Sequence, residues 1–160
     1  MEDILNKEPV KRVQKKLNEF SNELKVIVLN SSARTAQQAA ESLNTEVGSI
    51  VKSLLFKTED SFVLCLVSGD KRCSLNKLKK IKNQRDISMA NADEVKKVTG
   101  FTIGGVSPVA HTQRIEIFID EELNRFNNIY AAAGHPNCIF KIDFDNLKKI
   151  TKGSVKNITE

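Results

Sequence analysis

Residues 50–68 read IVKSLLFKTEDSFVLCLVS and contain two apolar runs with a polar break between them. IVKSLLF and FVLCLVS are rich in Val, Leu and Phe, and each has the length of a β-strand. The intervening KTEDS is short and charged, as is typical of a hairpin loop. The stretch therefore predicts a β-hairpin.

The segments on either side of this hairpin mix helix and strand patterns. Apolar residues at steps of three and four predict an opening helix with one apolar face, formed by Val10, Val13, Leu17, Phe20 and Leu24. Further helices are predicted in TAQQAAESL, SLNKLKKIKN, NADEVKKVTG and DFDNLKKITKG, and further strands in KVIVLN, IEIFID, IYAAAG, CIFKID and SVKNIT. Because these elements show no regular βαβ alternation, we predict an α+β fold with a mixed, mostly antiparallel sheet.

Several predicted helices carry signals at their ends or a clear apolar face. Thr35 and Gln38 have the spacing of a capping box. Asn91 can cap the start of the NADEVKKVTG helix, and Gly100 can end it. In SLNKLKKIKN the predicted inward face consists of Leu75, Leu78 and Ile81.

The length and composition of the chain limit the classes of protein to which it can belong. At 160 residues the chain is expected to form one domain, residues 1–160, with an amino-terminal helix within residues 1–25 packed on it. No apolar run has the length of a membrane span, and the start of the chain lacks a signal-peptide pattern, so we expect a cytoplasmic protein without a membrane partner. Three scattered cysteines indicate reduced thiols, with neither a disulfide framework nor a metal site. The net charge of +5 permits an anionic partner such as RNA.

Lys52 stands out inside the first strand of the hairpin. Alternation along a strand places it on one face with Ile50, Leu54 and Phe56, and places Ser53 on the other face. Burying an unpaired ammonium on an apolar face is costly. The face therefore either opens into a pocket, or the lysine extends its head group to an edge of the sheet.

The segment GGVSPVAH, residues 104–111, separates a helix from a strand. Gly104 and Gly105 allow positive φ and close approach to a ligand, so their N–H groups could point at an oxygen. Pro108 holds Ser107 extended, but no Asp-His pair supports Ser107 as a nucleophile. A tight surface loop is the alternative interpretation of the glycines, and the role of His111 stays open.

The segment AAAGHPN, residues 131–137, contains three small side chains followed by a predicted turn. Ala131, Ala132 and Ala133 could leave room for a ligand or could simply pack tightly in the core. His135, after Gly134, could act as a hydrogen-bond donor, acid or base, or could be a surface residue. Two isolated histidines without an acidic neighbour do not indicate a metal site.

Taken in order, these segments resemble the YbaK/ProX-type aminoacyl-tRNA deacylases, which are related to the editing domain of bacterial prolyl-tRNA synthetases. The similar pieces run from about Val26 onward: SSARTAQQAAESLNTEVGSIVKSLLF, FVLCLVSGDKR, TGFTIGGVSPVAH, IFIDEEL and AAAGHPNCIFKID. The resemblance implies a compact domain with a barrel-like sheet surrounded by helices. It also implies hydrolysis of the ester between a wrong amino acid and its tRNA, most often the tRNA for proline.

The resemblance also assigns candidate site residues. Lys52 matches a lysine that the family needs for activity, and Gly104–Pro108 matches a Gly-x-x-x-P loop. Lys52 with the N–H groups of Gly104 and Gly105 forms the expected catalytic set. The expected substrate-binding set is Ser53, Val106, Ser107, Pro108, Ala133, Gly134 and His135. The alanine-specific branch has Asn directly after the lysine, where this chain has Ser53, so alanine, serine, cysteine and 2-aminobutyrate-like substrates stay open.

The expected partners are the acceptor end of a mischarged tRNA and, as a second candidate, prolyl-tRNA synthetase. We expect no cofactor, no metal and no DNA partner. A non-catalytic module that binds aminoacyl-tRNA or a synthetase is the main alternative. A general RNA-binding protein is less well supported, because the chain has no tryptophan and one tyrosine for base stacking.

Overall fold

A mixed β-sheet of eight strands, with five α-helices around it, makes up the part of the chain that the computed structural model describes, residues 3–31 and 33–160. The strands are β1 (Val26–Val28), β2 (Ile50–Lys57), β3 (Phe62–Ser68), β4 (Ser88–Met89), β5 (Glu116–Asp120), β6 (Ile129–Ala132), β7 (Cys138–Ile142) and β8 (Ser154–Lys156). The helices are α1 (Glu8–Phe20), α2 (Ala36–Leu43), α3 (Leu75–Lys82), α4 (Ala92–Thr99) and α5 (Phe144–Thr151). Short 3-10 turns span Ile4–Asn6, Val47–Ser49 and Glu121–Arg125. None of the helices in these residues is long and apolar enough to cross a membrane.

The predicted hairpin is β2–β3, which lies in the middle of the sheet. The two strands pair antiparallel from Val51 opposite Ser68 to Lys57 opposite Phe62. The strand order is β1-β7-β6-β2-β3-β5-β8, with β4 paired to β2 beside this path. Four of these seven pairings are antiparallel and three are parallel. The predicted α+β class with a mixed sheet is confirmed.

The edge of β2 that faces away from β3 has two different partners. β6 pairs with β2 at Ile50 and Val51, and β4 pairs with it at Phe56 and Lys57. Between these pairings no described strand bonds to β2, although the Ala90 N–H donates to the Leu55 carbonyl at 3.0 Å. The sheet therefore has a gap beside residues 52–54.

Alternate residues of β2 pack into different apolar clusters, as a strand with two covered faces requires. Val51 and Leu55 belong to the larger cluster, whereas Phe56 belongs to a smaller one with Leu78 of α3. The larger cluster also takes the buried face of α1, formed by Val10, Val13 and Leu17. Phe20 and Leu24 were predicted on the same helix face. Phe20 is 37% exposed, and Leu24 lies beyond the end of the helix.

The helix ends follow the predicted chemistry with one difference. The Asn91 side chain accepts from the Glu94 N–H, the Glu94 carboxylate accepts from the Asn91 N–H, and α4 ends at Gly100 in a left-handed conformation. Thr35 Oγ1 accepts from the Gln38 N–H, as predicted. The Gln38 side chain, however, accepts from the Arg34 N–H rather than from that of Thr35.

The predicted inward face of α3 is only partly correct. Leu78 is fully buried, but Leu75 is 38% exposed and Ile81 is exposed to a similar degree. A helix of eight residues that packs against the sheet through one turn needs few buried side chains, and α3 buries one.

Two glycine-containing loops pack on each other and on the start of α1. A side chain at Gly105 would meet the backbone of Gly134 and His135 at 3.0 Å. A side chain at Gly134 would meet the Pro9 carbonyl group at 2.8 Å. Gly134 also has φ of +91°, which disfavours any other residue. These glycines permit close packing of three backbone segments.

Gly134→Ala should destabilise the protein by roughly 2–4 kcal/mol, because it adds a steric clash with Pro9 to an unfavourable φ. Gly104→Ala is the matched control, since Gly104 has φ of +94° but a side chain there would meet only Pro136, at 3.7 Å. We expect it to lose about 1–2 kcal/mol. Urea unfolding of both variants measures the difference, and equal losses would contradict the packing argument.

Candidate functional site

A cavity of about 380 Å³ occupies the gap in the sheet. We call it the gap cavity. Its walls come from the start of α2, from β2, from the turn between β4 and α4, from the loop at residues 103–106, and from β6 and the start of β7. Most of the lining side chains are apolar. Lys52, Ser53, Arg34, Thr35 and Tyr130 are the lining residues that carry polar side-chain groups other than a thiol.

Lys52 lies in the wall of this cavity on β2. Its ammonium donates a hydrogen bond to the carbonyl of Lys71. Burial lowers the pKa of Lys52, and repulsion from Arg72 lowers it further, while Cys73, Asp70 and Asp120 oppose the shift. The sequence left two alternatives open for Lys52, a pocket or extension to an edge of the sheet, and the structure shows that its strand borders a cavity.

The two carboxylates near Lys52 are already engaged by other groups. Asp120 is fully buried and accepts from the N–H groups of Ser68 and Glu122. Asp70 accepts from the Arg125 guanidinium at 2.7 Å, and this hydrogen bond lowers the Asp70 pKa. Lys52 thus interacts with two carboxylates only at longer range, and its direct hydrogen-bond partner is a neutral carbonyl.

Ser53 follows Lys52 and also lines the gap cavity. Its hydroxyl oxygen is buried, and no hydrogen-bond partner for it exists among the described residues. A buried polar atom without a partner costs about 1–3 kcal/mol. The cost would be offset if a bound molecule supplied the partner.

The glycine-containing loop contributes two of its predicted residues to the cavity. Gly104 and Val106 line it, whereas Gly105, Ser107 and Pro108 are buried behind it. The Gly105 N–H already donates to the Thr102 carbonyl at 3.0 Å. The Ser107 hydroxyl accepts from the Val109 N–H at 3.2 Å. Within residues 3–31 and 33–160, the Gly104 N–H forms no hydrogen bond.

His111 and Arg12 hold the far end of this loop. The His111 ring shares a 2.7 Å hydrogen bond with the Ser107 carbonyl, and burial lowers the pKa of His111. Arg12 of α1 donates to the Ala110 carbonyl at 2.7 Å and lies over the Phe101 ring, 4.5 Å from its centre. His111 therefore serves the structure of the loop, and α1 is tied to the loop that carries Gly104.

The AAAGHPN segment is divided between cavity and core. Ala131, Ala132 and Pro136 line the gap cavity. Ala133 is fully buried in the larger apolar cluster. Gly134 packs against α1, and the His135 Nδ1 accepts from the Asn137 N–H at 3.0 Å. The structure does not bring Ala133, Gly134 or His135 to the cavity wall, so their predicted contacts with a substrate stay predictions.

Several lining residues were not predicted from the sequence. Arg34 and Thr35 come from the start of α2, and Tyr130 comes from β6. Ile103, 64% exposed, and Met89, 58% exposed, lie at the cavity from the loop and from β4. No local pattern identifies them as cavity residues, because their place depends on how α2, β4, β6 and the loop at residues 103–106 are arranged around the same edge of β2. Among the described residues, no three His, Cys, Asp or Glu side chains come together to hold a metal ion.

The aminoacyl-tRNA editing domain family matches residues 30–150, which is most of the chain and includes every segment that lines the gap cavity. The chain belongs to this family. The predicted relationship to editing domains is confirmed, and this editing domain places its lysine and its glycine loop around one cavity.

Known relatives include both large synthetases and proteins of this size. The proline–tRNA ligase of Caldicellulosiruptor saccharolyticus is 26% identical over 160 residues, and the match covers 99% of this chain and 26% of the ligase. The chain thus spans about a quarter of the length of such ligases. The uncharacterised protein YwhH of Bacillus subtilis is 28% identical, and the match covers 91% of this chain and 93% of that protein.

A solved structure is similar over nearly the whole fold. It belongs to a protein proposed to be a trans-editing enzyme for prolyl-tRNA synthetase, with a TM-score of 0.91 and 37% identity. The match covers 96% of this chain and 98% of the other. The editing-domain fold is therefore shared along almost its full length.

Lys52→Met should stabilise the protein near neutral pH by about 1 kcal/mol, a modest value because water still reaches part of the side chain. The pKa of Lys52 is lower in the folded protein than in the unfolded chain, so native stability rises with pH between those two values. The methionine variant lacks this dependence, and its advantage should shrink as the pH approaches 10.5. Urea unfolding at pH 7 and 10 tests this.

Lys57→Met on the same strand is the control for Lys52→Met, because the Lys57 side chain is 57% exposed. It should change stability little at either pH. A Lys52→Met variant that is no more stable than the native protein at pH 7 would show that burial of the ammonium carries no cost.

Ser53→Ala should raise the free energy of unfolding by about 0.5–1 kcal/mol, because it removes a buried hydroxyl that has no partner. Ser68→Ala is the matched control. Ser68 is fully buried and its hydroxyl donates to the Gly48 carbonyl, so its loss should destabilise the protein. Thermal unfolding of both variants gives the comparison, and a destabilised Ser53→Ala would contradict the inference.

Proposed function

We propose that this editing domain is a trans-editing deacylase, which hydrolyses the ester that links a wrongly attached small amino acid to tRNA. The tRNA for proline is the leading substrate. The observation that carries the proposal is a lysine in the wall of a mostly apolar cavity that is also lined by Gly104, whose N–H has no hydrogen-bond partner among the described residues. Membership of the editing family and the relatives of similar length support it.

Lys52 would bind the reacting end of the aminoacyl-adenosine. Its ammonium has a neutral carbonyl as its direct partner, so a terminal phosphate or the ester carbonyl can compete for it. In an apolar wall such a contact is stronger than it would be in water. Lys52 would thereby position the ester between the amino-acid side and the ribose side of the site.

The N–H of Gly104 would stabilise the oxyanion that forms when water attacks the ester carbonyl. Gly105 was predicted to share this role, but in the present conformation its N–H is bonded to the Thr102 carbonyl. Gly104 is therefore the stronger candidate of the two. Gly105 would act by allowing the loop to pack closely on residues 134 and 135.

The water would be oriented without a strong protein base. Among the described residues that line the gap cavity there is no histidine, aspartate or glutamate. An aminoacyl ester is already reactive, and the neighbouring ribose hydroxyl can hold the water in line with the carbonyl. No covalent intermediate on the protein is needed for this reaction.

The size of the gap cavity would determine which amino acids are removed. Ala131, Ala132 and Val106 line it and leave room for a small side chain. A synthetase pocket for proline rejects smaller amino acids weakly, since lost apolar contact is worth only about 1–3 kcal/mol. A second, smaller pocket would remove these errors. The hydroxyl of Ser53 would bind the amino group or a polar side chain of the substrate.

Within this proposal the partners are the acceptor end of the mischarged tRNA and, as the source of such tRNA, prolyl-tRNA synthetase. The net charge of +5 favours an RNA partner. The proposed place of action is the cytoplasm, where aminoacyl-tRNA is made and used.

The proposal predicts rapid release of one or more small amino acids from tRNA for proline charged with alanine, serine or cysteine. Proline should stay attached. Lys52→Met should lower the rate about 100–1000-fold, the usual effect of losing one group that stabilises a transition state. Lys57→Met, on the same strand but outside the cavity, should react like the native protein. Release of radiolabelled amino acid measures all of these rates.

If no charged tRNA in this panel is hydrolysed, the deacylase proposal is wrong for these substrates. Retained tight binding of the same tRNAs would then favour the non-catalytic binding module. If the Lys52→Met variant hydrolyses the charged tRNA as fast as the native protein does, Lys52 takes no part in the mechanism.

A further inference from the structure

A second cavity of about 490 Å³ meets the gap cavity at Lys52. We call it the side groove. Lys52, Leu54 and Met89 line both cavities. The side groove is completed by residues outside the predicted site: Phe56, Arg72, Cys73, Leu75, Asn76 and Glu160. The two spaces therefore share Lys52 as part of their walls.

The walls of the side groove combine apolar surface with polar ends. Met89 is 58% exposed and Leu75 is 38% exposed, although both are large apolar side chains. Exposed apolar side chains that line a groove beside a functional lysine suit a flat, weakly hydrated partner. Nucleic-acid bases bind in this way between apolar or aromatic side chains.

Arg72 carries a positive charge that no acidic side chain among the described residues neutralises. Among the described residues its guanidinium forms no ion pair or side-chain hydrogen bond, whereas Arg12 pairs with Glu8 and Arg125 pairs with Asp70. A guanidinium suits phosphate because it can donate two parallel hydrogen bonds to it. An unpaired arginine at the rim of a groove is thus a natural phosphate ligand.

Arg72 is also close to the proposed reaction centre. The ammonium of Lys52 donates to the carbonyl of Lys71, the residue just before Arg72. Burial and then repulsion from Arg72 lower the pKa of Lys52, so the two charges lie near each other. A substrate with an ester at Lys52 and a phosphate a few bonds away would meet both.

We infer that the side groove binds the terminal nucleotide of the tRNA, with its base against Leu75 and Met89 and its phosphate on Arg72. The amino acid then occupies the gap cavity, and the ester between them lies at Lys52. Asn76 and Glu160 are the polar groups available to the ribose and to the amines of the base. This inference rests on the proposed function and adds a place for the nucleic-acid half of the substrate.

Cys73 offers a test that needs no hydrolysis. It lines the side groove and is partly exposed, whereas Cys65 and Cys138 are fully buried. A hydrogen bond with the Cys65 thiol lowers the pKa of Cys73, which favours its reaction with iodoacetamide. Mass spectrometry of the alkylated native protein would identify the modified thiol and its rate of modification.

The probe is the dinucleotide cytidylyl-adenosine, which contains the last phosphate and base of a tRNA. It should slow alkylation of Cys73 in a saturable way, and adenosine, without the phosphate, should protect at least tenfold more weakly. Arg72→Ala and Arg72→Gln should each weaken protection by the dinucleotide about tenfold or more. Arg85→Ala, an exposed arginine outside both cavities, should leave protection unchanged.

A kinetic measurement complements the protection assay. With mischarged tRNA, Arg72→Gln should raise KM about tenfold and leave kcat nearly unchanged, because it removes a contact with the bound nucleotide. With a simple alanine ester that lacks a nucleotide, Arg72→Gln should raise KM much less than it does with mischarged tRNA, and Arg85→Ala should match the native protein with both substrates. Lys52→Met should instead reduce kcat for both substrates.

The two hypotheses fail in different ways. Deacylation without protection of Cys73, or protection that does not depend on Arg72 in either variant, would overturn the side-groove inference and leave the proposed function standing. Arg72-dependent protection without deacylation of any charged tRNA would support the groove as a nucleotide site and overturn the deacylase.

Discussion

The interrupted pairing along one edge of β2 is the constraint on which the site depends. β6 and β4 each take a short part of this edge, and residues 52–54 between them face a cavity rather than another strand. A lysine at this point is tolerated because its ammonium reaches the Lys71 carbonyl and because the groove beside it is open. A continuous strand at this edge would close the cavity and leave the charge without space.

Local sequence patterns were sufficient to predict the helices and strands and to identify the unusual residues. The hairpin of residues 50–68, the caps at Thr35 and Asn91 and the alternation that singles out Lys52 all follow from short-range chemistry. The packing roles of Gly105, Gly134 and His111 could not be predicted from such patterns, because each role depends on a contact with a segment that is distant in the chain. Likewise, Arg34, Met89 and Arg72 show no pattern in the sequence, and only the arrangement of the start of α2, β4 and the turn after β3 brings them to the cavities.

The loops around the site owe their shape to α1. Arg12 bonds to the carbonyls of Gly100 and Ala110, and the Pro9 backbone lies against Gly134. The loop that carries Gly104 and the turn that carries His135 therefore share one support, although neither α1 nor its arginine contacts the gap cavity. A rigid support of this kind holds backbone groups in place more accurately than a free loop can.

The gap cavity is assembled from segments that are far apart along the chain, from residue 33 to residue 139. The strand pairing that bounds it joins Val51 to Ala131, and the sheet is completed by parallel contacts of β5 with β3 and β8. Contacts between distant parts of a chain form slowly, since each must first close a long loop. During synthesis, the cavity cannot exist until β6 and the start of β7 have been made. A chain released before that point would contain the lysine and the glycine loop but would have no enclosed site.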